Sequence, residues 1–225
     1  MLAVPFENLD IVPLHRPIKL NEKALWDKIV IHRRGGFCYE LNGLFAMLLK
    51  EIGFEVTYLN GRVYNHSGER GRDFDHLTLL VQISNHPGRW LADVGFGDSF
   101  LEPLIFEDGS EQTQGLRSYR VERVAGGFDM LQRDYDGKWE RQYFFDLQPR
   151  IFPGDYEATC LYHQTSPESG FTQGSVISIA TPEGRISLDD NRLIFTRNGK
   201  REESSINPYE RPALLQKYFS VNLKP

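Results

Sequence analysis

Apolar and polar positions alternate most regularly between residues 38 and 52. Large apolar side chains recur there at intervals of three and four residues, which places them on one face of a helix. The apolar positions are Leu41, Leu44, Phe45, Leu48, Leu49 and Ile52. Gly53 follows directly and suits the left-handed position after a helix C-terminus. The pattern therefore predicts a helix over residues 38–52.

A shorter helical pattern precedes it at residues 21–32. Asn21 suits the N-cap, because its side chain can accept a hydrogen bond from a free N–H group of the first turn. Leu25, Ile29 and Val30 supply the apolar spacing of a helix. We therefore predict two helices before residue 54.

Beyond residue 54 the chain contains short apolar runs separated by turn residues, which is typical of strands. The predicted strands lie at residues 55–63, 76–83, 89–94, 118–124, 128–133, 139–145, 176–180, 185–188 and 192–197. Turns are predicted at Gly126-Gly127, Asp136-Gly137 and Asn198-Gly199, and a last helix at residues 212–219. Helices first, a β-rich middle and a mixed tail indicate the α+β class.

Composition and net charge limit the kinds of partner that the protein is expected to bind. The chain has 225 residues, of which 40% are hydrophobic and 25% charged, and its formal net charge is −5. This charge argues against nucleic acid or an anionic membrane as a partner. No run approaches the roughly 20 apolar residues of a membrane-spanning helix, and no apolar run near the start is fit for a signal peptide. With two cysteines instead of a disulfide framework, we expect a cytoplasmic protein.

Cys38 is the main candidate for chemistry because of its position. Gly35 and Gly36 free the backbone before it, and the predicted helix opens immediately after it. The unpaired N–H groups at a helix start carry about half a positive charge, which favours thiolate over thiol. The alternative is a small buried apolar residue. Cys160 lacks such a setting, and for it the alternative is favoured.

A nucleophilic thiol needs a base, and the base needs a group that orients it. His76 begins one apolar run and Asp93 ends another. Such residues meet when the two strands are antiparallel neighbours. Taken singly, His76 can be an edge histidine and Asp93 a loop-capping aspartate; the order Cys38, His76, Asp93 favours a catalytic triad.

Two other kinds of site have weaker signals. The turn Gly95-Phe96-Gly97 can offer backbone N–H groups to a phosphate or an oxyanion, although a short Gly-x-Gly is weak evidence. No His/Cys pair has the spacing of zinc ligands, so we predict no metal.

Several segments resemble motifs of the arylamine N-acetyltransferases, in the order that this family has them. They are residues 4–9 (VPFENL), 34–42 (RGGFCYELN), 76–81 (HLTLLV), 93–97 (DVGFG), 165–171 (TSPESGF) and 181–184 (TPEG). They extend over most of the chain, so the resemblance is specific, and it favours the triad of Cys38, His76 and Asp93.

The resemblance implies a papain-like or transglutaminase-like cysteine-enzyme core in three regions. Residues 1–53 would form a helical bundle with the cysteine, 54–155 a β-barrel with the histidine and aspartate, and 156–225 an α/β lid. Family members usually have more helical sequence before Pro5, so the bundle is expected to be short at its N-terminus.

The resemblance also implies the reaction. Acetyl-CoA would acylate Cys38, CoA would leave, and an arylamine, arylhydroxylamine or hydrazine would take the acetyl group. Phe37, Phe96 and Phe100 would line the acceptor pocket. Tyr162 and Ser169 fall where the family contacts CoA. From the Gly-x-Gly turn itself, we expect the N–H groups of Gly95 and Gly97 to contact the cofactor.

Two alternatives remain at this point. The triad would also suit a related cysteine acyltransferase, such as an amide synthase or a transglutaminase-like enzyme. A homologue without its first helices would instead bind ligands without turning them over.

Overall fold

The computed structural model describes residues 1–106, 109–134 and 137–223, so Asp136 of one predicted turn lies outside the described residues. The helices are α1 (Glu22–Trp26), continued by a π-helical turn (Asp27–Ile31), α2 (Cys38–Glu51), α3 (Glu157–Thr165) and α4 (Arg211–Phe219). Short 3₁₀ turns lie at Gly154–Tyr156, Gly170–Thr172 and Pro208–Glu210. The strands are β1 (Phe6–Glu7), β2 (Phe54–Val63), β3 (His76–Ile83), β4 (Arg89–Ala92), β5 (Leu104–Ile105), β6 (Gln112–Gln114), β7 (Arg117–Val124), β8 (Gly127–Arg133), β9 (Trp139–Phe145), β10 (Ile177–Thr181), β11 (Gly184–Leu188), β12 (Arg192–Arg197) and β13 (Lys200–Ser205).

The predicted helices are confirmed within one or two residues at each end. The side chain of Asn21 accepts a hydrogen bond from the Ala24 N–H at 3.0 Å, as expected of an N-cap. Helix α2 begins at Cys38, and Gly53 beyond its end has a φ of +97°. This left-handed backbone is open to glycine at little steric cost.

The predicted apolar face of α2 is partly wrong. Leu48 and Ile52 are 55% and 62% exposed, whereas Asn42 and Gly43 are buried. The helix packs against β2 and β3 and turns small and polar positions inward. A Cβ atom at Gly43 would lie 2.5 Å from the Phe152 ring, so glycine permits this close packing.

Within the described residues, eight strands form one antiparallel sheet in the order β5-β4-β3-β2-β9-β8-β7-β6. Two glutamine side chains of β6 bridge its ends. The Gln112 amide accepts from the Ile105 N–H (2.7 Å) and donates to the Ile105 carbonyl (2.9 Å). The Gln114 amide accepts from the N–H groups of Leu101 and Glu102 and donates to the Glu102 carbonyl. The sheet is therefore a nearly closed barrel.

Five further strands form a second antiparallel sheet in the order β1-β10-β11-β12-β13, against which α4 packs. The predicted turn between β12 and β13 is confirmed, since Asn198 and Gly199 have φ values of +49° and +77°. Strand β1 pairs Phe6 with Ser178 of β10. The first and last predicted regions thus share one sheet, and the region boundaries at 53 and 155 stay a prediction.

The sequence pattern missed α3 and the strands β1, β5, β6 and β13. Strands β1, β5 and β6 are two or three residues long, too short for an alternating pattern. Strand β13 is exposed throughout, so it has no apolar face. Helix α3 has few apolar residues and a weak periodicity.

Helices packed beside two antiparallel sheets confirm the α+β class. One apolar cluster lies between α2 and the faces of β2 and β3, a second fills the barrel, and a third lies between the second sheet and α4. No helix in the described ranges combines the length and the apolar composition that crossing a membrane requires.

Candidate active site

Cys38 is the first residue of α2 and is only 4% exposed. Phe37 before it is extended, and its N–H donates to the Glu40 carboxylate at 3.2 Å. A carboxylate in the first turn that bonds back to the N-cap N–H stabilises a helix start. The backbone around Cys38 is therefore firmly held.

Glycine allows the loop after β4 to reach this helix start. A Cβ atom at Gly95 would lie 2.7 Å from the Cα atom of Cys38 and 2.8 Å from the Asn42 amide nitrogen. No side chain fits there without displacing the helix. The Gly95 N–H donates to Asp93 at 3.0 Å.

The structure brings His76 and Asp93 together, because β3 and β4 are antiparallel neighbours. Nε2 of His76 lies 2.6 Å from Oδ2 of Asp93, and both side chains are almost fully buried. Burial alone would raise the pKa of Asp93, but the adjacent imidazole and the hydrogen bonds from Asn42 and the Gly95 N–H hold it below the usual value. Asp93 is therefore a carboxylate at neutral pH.

Asn42 connects α2 to both strands of this pair, a role that sequence reasoning missed. Its amide nitrogen donates to the Leu77 carbonyl (2.6 Å) and to Oδ1 of Asp93 (2.8 Å), and its oxygen accepts from the Val94 N–H (2.8 Å). One buried side chain thus sets the distance between the helix that begins at Cys38 and the strands that present His76 and Asp93. Its position one turn after the cysteine was the available signal.

Two aromatic rings enclose the imidazole of His76. The Phe96 ring lies edge-on at 5.1 Å and the Tyr143 ring at 4.9 Å between centroids. Burial, with the charge of Asp93, raises the pKa of Tyr143 well above its ordinary value, so this hydroxyl stays neutral. Tyr143 lies on β9, far from the motifs in sequence, and no local pattern singles it out.

The surroundings of Cys38 do not favour the thiolate predicted from the helix start. Burial raises the pKa of the Cys38 thiol well above its ordinary value, and the charge of Asp93 adds to the effect. The Leu77 N–H donates to the sulfur and opposes the rise without outweighing it. These surroundings therefore favour the protonated thiol.

The arginine next to the glycines does not act on the sulfur directly. Arg34 is buried and pairs with Glu7 at 2.7 Å and with Asp10 at 3.3 Å. Lys28 contacts Asp10 and Glu40, each at 2.7 Å. Three carboxylates thus share two cations behind the start of α2.

The cluster has more carboxylates than cations, and this bears on the pKa of Glu40. The carboxylates raise the pKa of Lys28 despite its burial. Glu40 is completely buried, and burial raises its pKa to about 7 even though Lys28 opposes the rise. Glu40 is thus the member of the cluster that gains a proton most readily as the pH falls.

We expect Glu40→Gln to remove a pH dependence of stability. The pKa of Glu40 is raised in the folded protein, so between pH 4.5 and 7 the native protein holds a proton that the unfolded chain has released. The free energy of unfolding therefore falls as the pH rises through this window. The fall is up to about 3 kcal/mol at 1.36 kcal/mol per pKa unit. Urea unfolding at pH 5 and pH 8 measures the free energy of unfolding of both proteins.

The difference between the wild type and Glu40→Gln isolates this group from others that titrate in the same range. Exposed Glu55→Gln is the matched control and should keep the wild-type slope. An unchanged slope in Glu40→Gln would contradict a buried carboxyl group that titrates near neutrality.

The predicted acceptor residues lie in different surroundings. Phe96 is half-buried beside His76. Phe37 is completely buried, edge-on to Phe171 at 5.5 Å. Phe100 is 2% exposed and packs against Tyr119 inside the barrel. Of the three, Phe96 alone contacts the imidazole ring.

Two further aromatic residues near the site were missed. Phe171 lies between the rings of Phe37 and Phe6, edge-on to Phe37 at 5.5 Å and tilted against Phe6 at 6.3 Å between centroids. The Phe6 ring in turn lies over Gly97, whose φ is +94°, at 3.4 Å from the position of an added Cβ atom. An added Cβ atom would thus make an ordinary contact with Phe6, and the left-handed backbone is what favours glycine here.

The predicted cofactor contacts Tyr162 and Ser169 belong to α3 and the segment after it. The Tyr162 ring is half-buried, and the guanidinium of Arg72 lies over it at 3.3 Å from the ring centroid. The Ser169 hydroxyl is buried, accepts from the Phe171 N–H and lies 3.0 Å from Nδ1 of His163. Their roles stay predictions, as do those of Gly95 and Gly97.

Comparison with known proteins places the chain among the acetyl-transferring enzymes. A family model described as N-acetyltransferase matches residues 1–225. A relative from Salmonella typhimurium, named arylamine N-acetyltransferase / N-hydroxyarylamine O-acetyltransferase, is 41% identical over 216 residues, which are 95% of this chain and 75% of the relative.

Solved structures agree with the sequence matches. The arylamine N-acetyltransferase of M. tuberculosis superposes with a TM-score of 0.91 at 32% identity, over 99% of this chain and 83% of that one. The Mycobacterium marinum arylamine N-acetyltransferase in complex with CoA gives 0.88 at 31% identity, over 98% and 82%. The chain belongs to the arylamine N-acetyltransferase family and is an acyltransferase.

Proposed function

We propose that the protein transfers an acetyl group from acetyl-CoA to an arylamine through a thioester on Cys38. The observation that carries the proposal is the buried hydrogen bond between Nε2 of His76 and Asp93, which leaves Nδ1 of the imidazole for the thiol. A papain-like core, with a cysteine at a helix start and a histidine on an adjacent strand, has this arrangement.

The first half-reaction acylates the enzyme. Nδ1 of His76 takes the proton of the Cys38 thiol, and the carboxylate of Asp93 stabilises the imidazolium that forms. The thiolate attacks the acetyl carbonyl, backbone N–H groups near Cys38 stabilise the oxyanion, and the carbon–sulfur bond to CoA breaks. The CoA thiolate leaves with the proton of the imidazolium.

The second half-reaction transfers the acetyl group. The nitrogen of the acceptor attacks the Cys38 thioester, His76 takes the proton of that nitrogen, and Cys38 leaves as a thiolate that is reprotonated by the imidazolium. The acetyl group stays on Cys38 after CoA has left and before the acceptor reacts, so the two halves follow a ping-pong order. The raised pKa of Cys38 makes the thiol a poor nucleophile without this base.

The proposed substrates follow the family. CoA as donor is supported by the Mycobacterium marinum relative that was solved in complex with it. Arylhydroxylamines beside arylamines are supported by the second name of the Salmonella relative, and hydrazines are proposed by analogy. Phe96, half-buried against His76, is the best placed of the three phenylalanines to contact a flat acceptor.

The experiment is an intact-mass measurement after mixing with acetyl-CoA alone. We expect a gain of one acetyl group, located by proteolysis on the peptide that contains Cys38. Addition of an aromatic amine should restore the original mass and release the N-acetylated amine. An unmodified protein, or an acetyl group on a residue other than Cys38, would overturn the proposal.

A further inference from the structure

His163 of α3 joins two parts of the chain that flank the proposed catalytic pair. Its ring is almost fully buried. Nε2 lies 3.2 Å from Oδ1 of Asp75, the residue directly before His76, and Nδ1 lies 3.0 Å from the Ser169 hydroxyl. Nε2 has no well-aligned hydrogen-bond partner, and the Asp75 carboxylate is the polar group that lies close to it.

The same ring touches the neighbours of Cys38. The Tyr39 ring lies 6.1 Å away, and the Phe171 ring lies edge-on at 5.2 Å. Phe171 in turn packs edge-on against Phe37. Phe37 and Tyr39 are the residues before and after Cys38, so the imidazole packs directly against one of these neighbours and reaches the other through Phe171.

Tyr39 links helix α2 to the segment directly before His76. Its hydroxyl donates to the backbone carbonyls of Phe74 at 2.6 Å and of Asp75 at 3.3 Å. The segment before His76 is thus bound to α2 through Tyr39 and to α3 through His163. A displacement of His163 acts on both contacts together.

This segment needs to be held, because Phe74 has a φ of +60°, a left-handed conformation that is uncommon outside glycine. The Asn60 side chain accepts from the Phe74 N–H at 2.6 Å. Helix α3 adds the hydroxyl of Thr159, which donates to the Asp73 carbonyl, and the ring of Tyr162 under Arg72. Of these α3 contacts, the one made by His163 falls on Asp75, the residue directly before His76.

We propose that His163 is a positioning residue that aligns the imidazole of His76 with the sulfur of Cys38 through its contact with Asp75. The inference rests on the proposed function of the Cys38–His76 pair. It makes the reactivity of the sulfur depend on the placement of α3, the helix that also presents Tyr162. His163 itself touches neither the reacting atoms nor the acetyl group.

Two substitutions separate the contacts of His163. The amide of His163→Gln reaches the position of Nε2 and can donate to Asp75, whereas the amide of His163→Asn reaches only the position of Nδ1 and can bond Ser169. We expect the rate of Cys38 alkylation by iodoacetamide to fall about 10-fold or more in His163→Asn, as for other groups that orient a catalytic residue. His163→Gln should keep most of the wild-type rate.

Acetyl transfer to an aromatic amine should show the same order. The loss in His163→Asn should appear in kcat, with KM for the amine unchanged. Asp75→Asn should match His163→Asn, and the double variant should lose no more than either single variant, because both remove one interaction. Melting temperatures of the two His163 variants should agree closely.

Equal losses in His163→Gln and His163→Asn, or additive losses in the double variant with Asp75→Asn, would overturn the proposal. Alkylation requires no acetyl-CoA. If the wild type fails to accept an acetyl group while alkylation still depends on His163 in this way, the proposed function fails and the positioning role stands. If the wild type is acetylated and both variants react alike, the positioning role fails alone.

Discussion

We expect Cys38→Ala to abolish acetyl transfer, with a loss of about 10⁶-fold in kcat, the size seen when a triad loses its nucleophile. Without the sulfur no thioester forms, and the imidazole of His76 has no proton to accept. The measurement is the rate of N-acetylation of an aromatic amine by acetyl-CoA, together with the intact mass of the protein after exposure to acetyl-CoA.

The matched control is Cys160→Ser. Cys160 is also a buried free cysteine, at 2% exposure, but it lies on α3, where its sulfur accepts from the Gln164 amide at 3.3 Å. This variant should still gain one acetyl group and should turn over. Full activity in Cys38→Ala, or loss of acetylation in Cys160→Ser alone, would remove Cys38 from the reaction.

Asp93→Asn should lower kcat by about 10⁴-fold, as in other triads whose carboxylate becomes an amide. The oxygen of the introduced amide would stay on the N–H groups of Asn42 and Gly95, which bond Oδ1 of Asp93. The NH₂ group of that amide would then face Nε2 of His76, which must accept. The proton of the ring moves to Nδ1, where it blocks uptake of the proton from Cys38.

The control for this variant is Asp129→Asn. Asp129 is 1% exposed, as buried as Asp93, but its carboxylate bonds the Tyr64 hydroxyl and pairs with Arg141. Its substitution tests the effect of losing a buried carboxylate without changing the tautomer of His76. If both variants keep kcat, or if both lose it in proportion to stability, the orienting role of Asp93 is wrong.

The parts of the site that sequence predicts are those with local signals. The helix from Cys38 to Glu51 follows from its apolar spacing and from Gly53. The approach of His76 to Asp93 follows from two neighbouring apolar runs joined by a short connection, which makes an antiparallel pair. Identification of the family from the motifs is confirmed by the family model and the relatives.

The remaining parts depend on contacts between residues distant in sequence. Asn42 of α2 forms hydrogen bonds with residues that lie 35, 51 and 52 positions further along the chain. Tyr143 of β9 packs against His76. The direction in which a helix turns its faces depends on what packs against it, so apolar spacing alone misassigned Leu48 and Ile52. The pKa of Cys38 follows burial, which the helix start does not reveal.

The glutamine bridges of the barrel also bear on whether a strand of another chain can pair with the edge of the sheet. An unpaired strand edge is a template for pairing with a further strand. Gln112 occupies the free N–H and carbonyl of Ile105 with its own amide, so no backbone donor or acceptor of Ile105 is left to recruit a neighbour. In the second sheet, the outer strand β13 carries Lys200, Arg201, Glu202 and Glu203 in sequence, and charged side chains on an edge strand disfavour pairing with a further strand. One sheet edge is thus occupied by a side-chain amide and the other carries charged side chains. Both features disfavour aggregation through strand pairing.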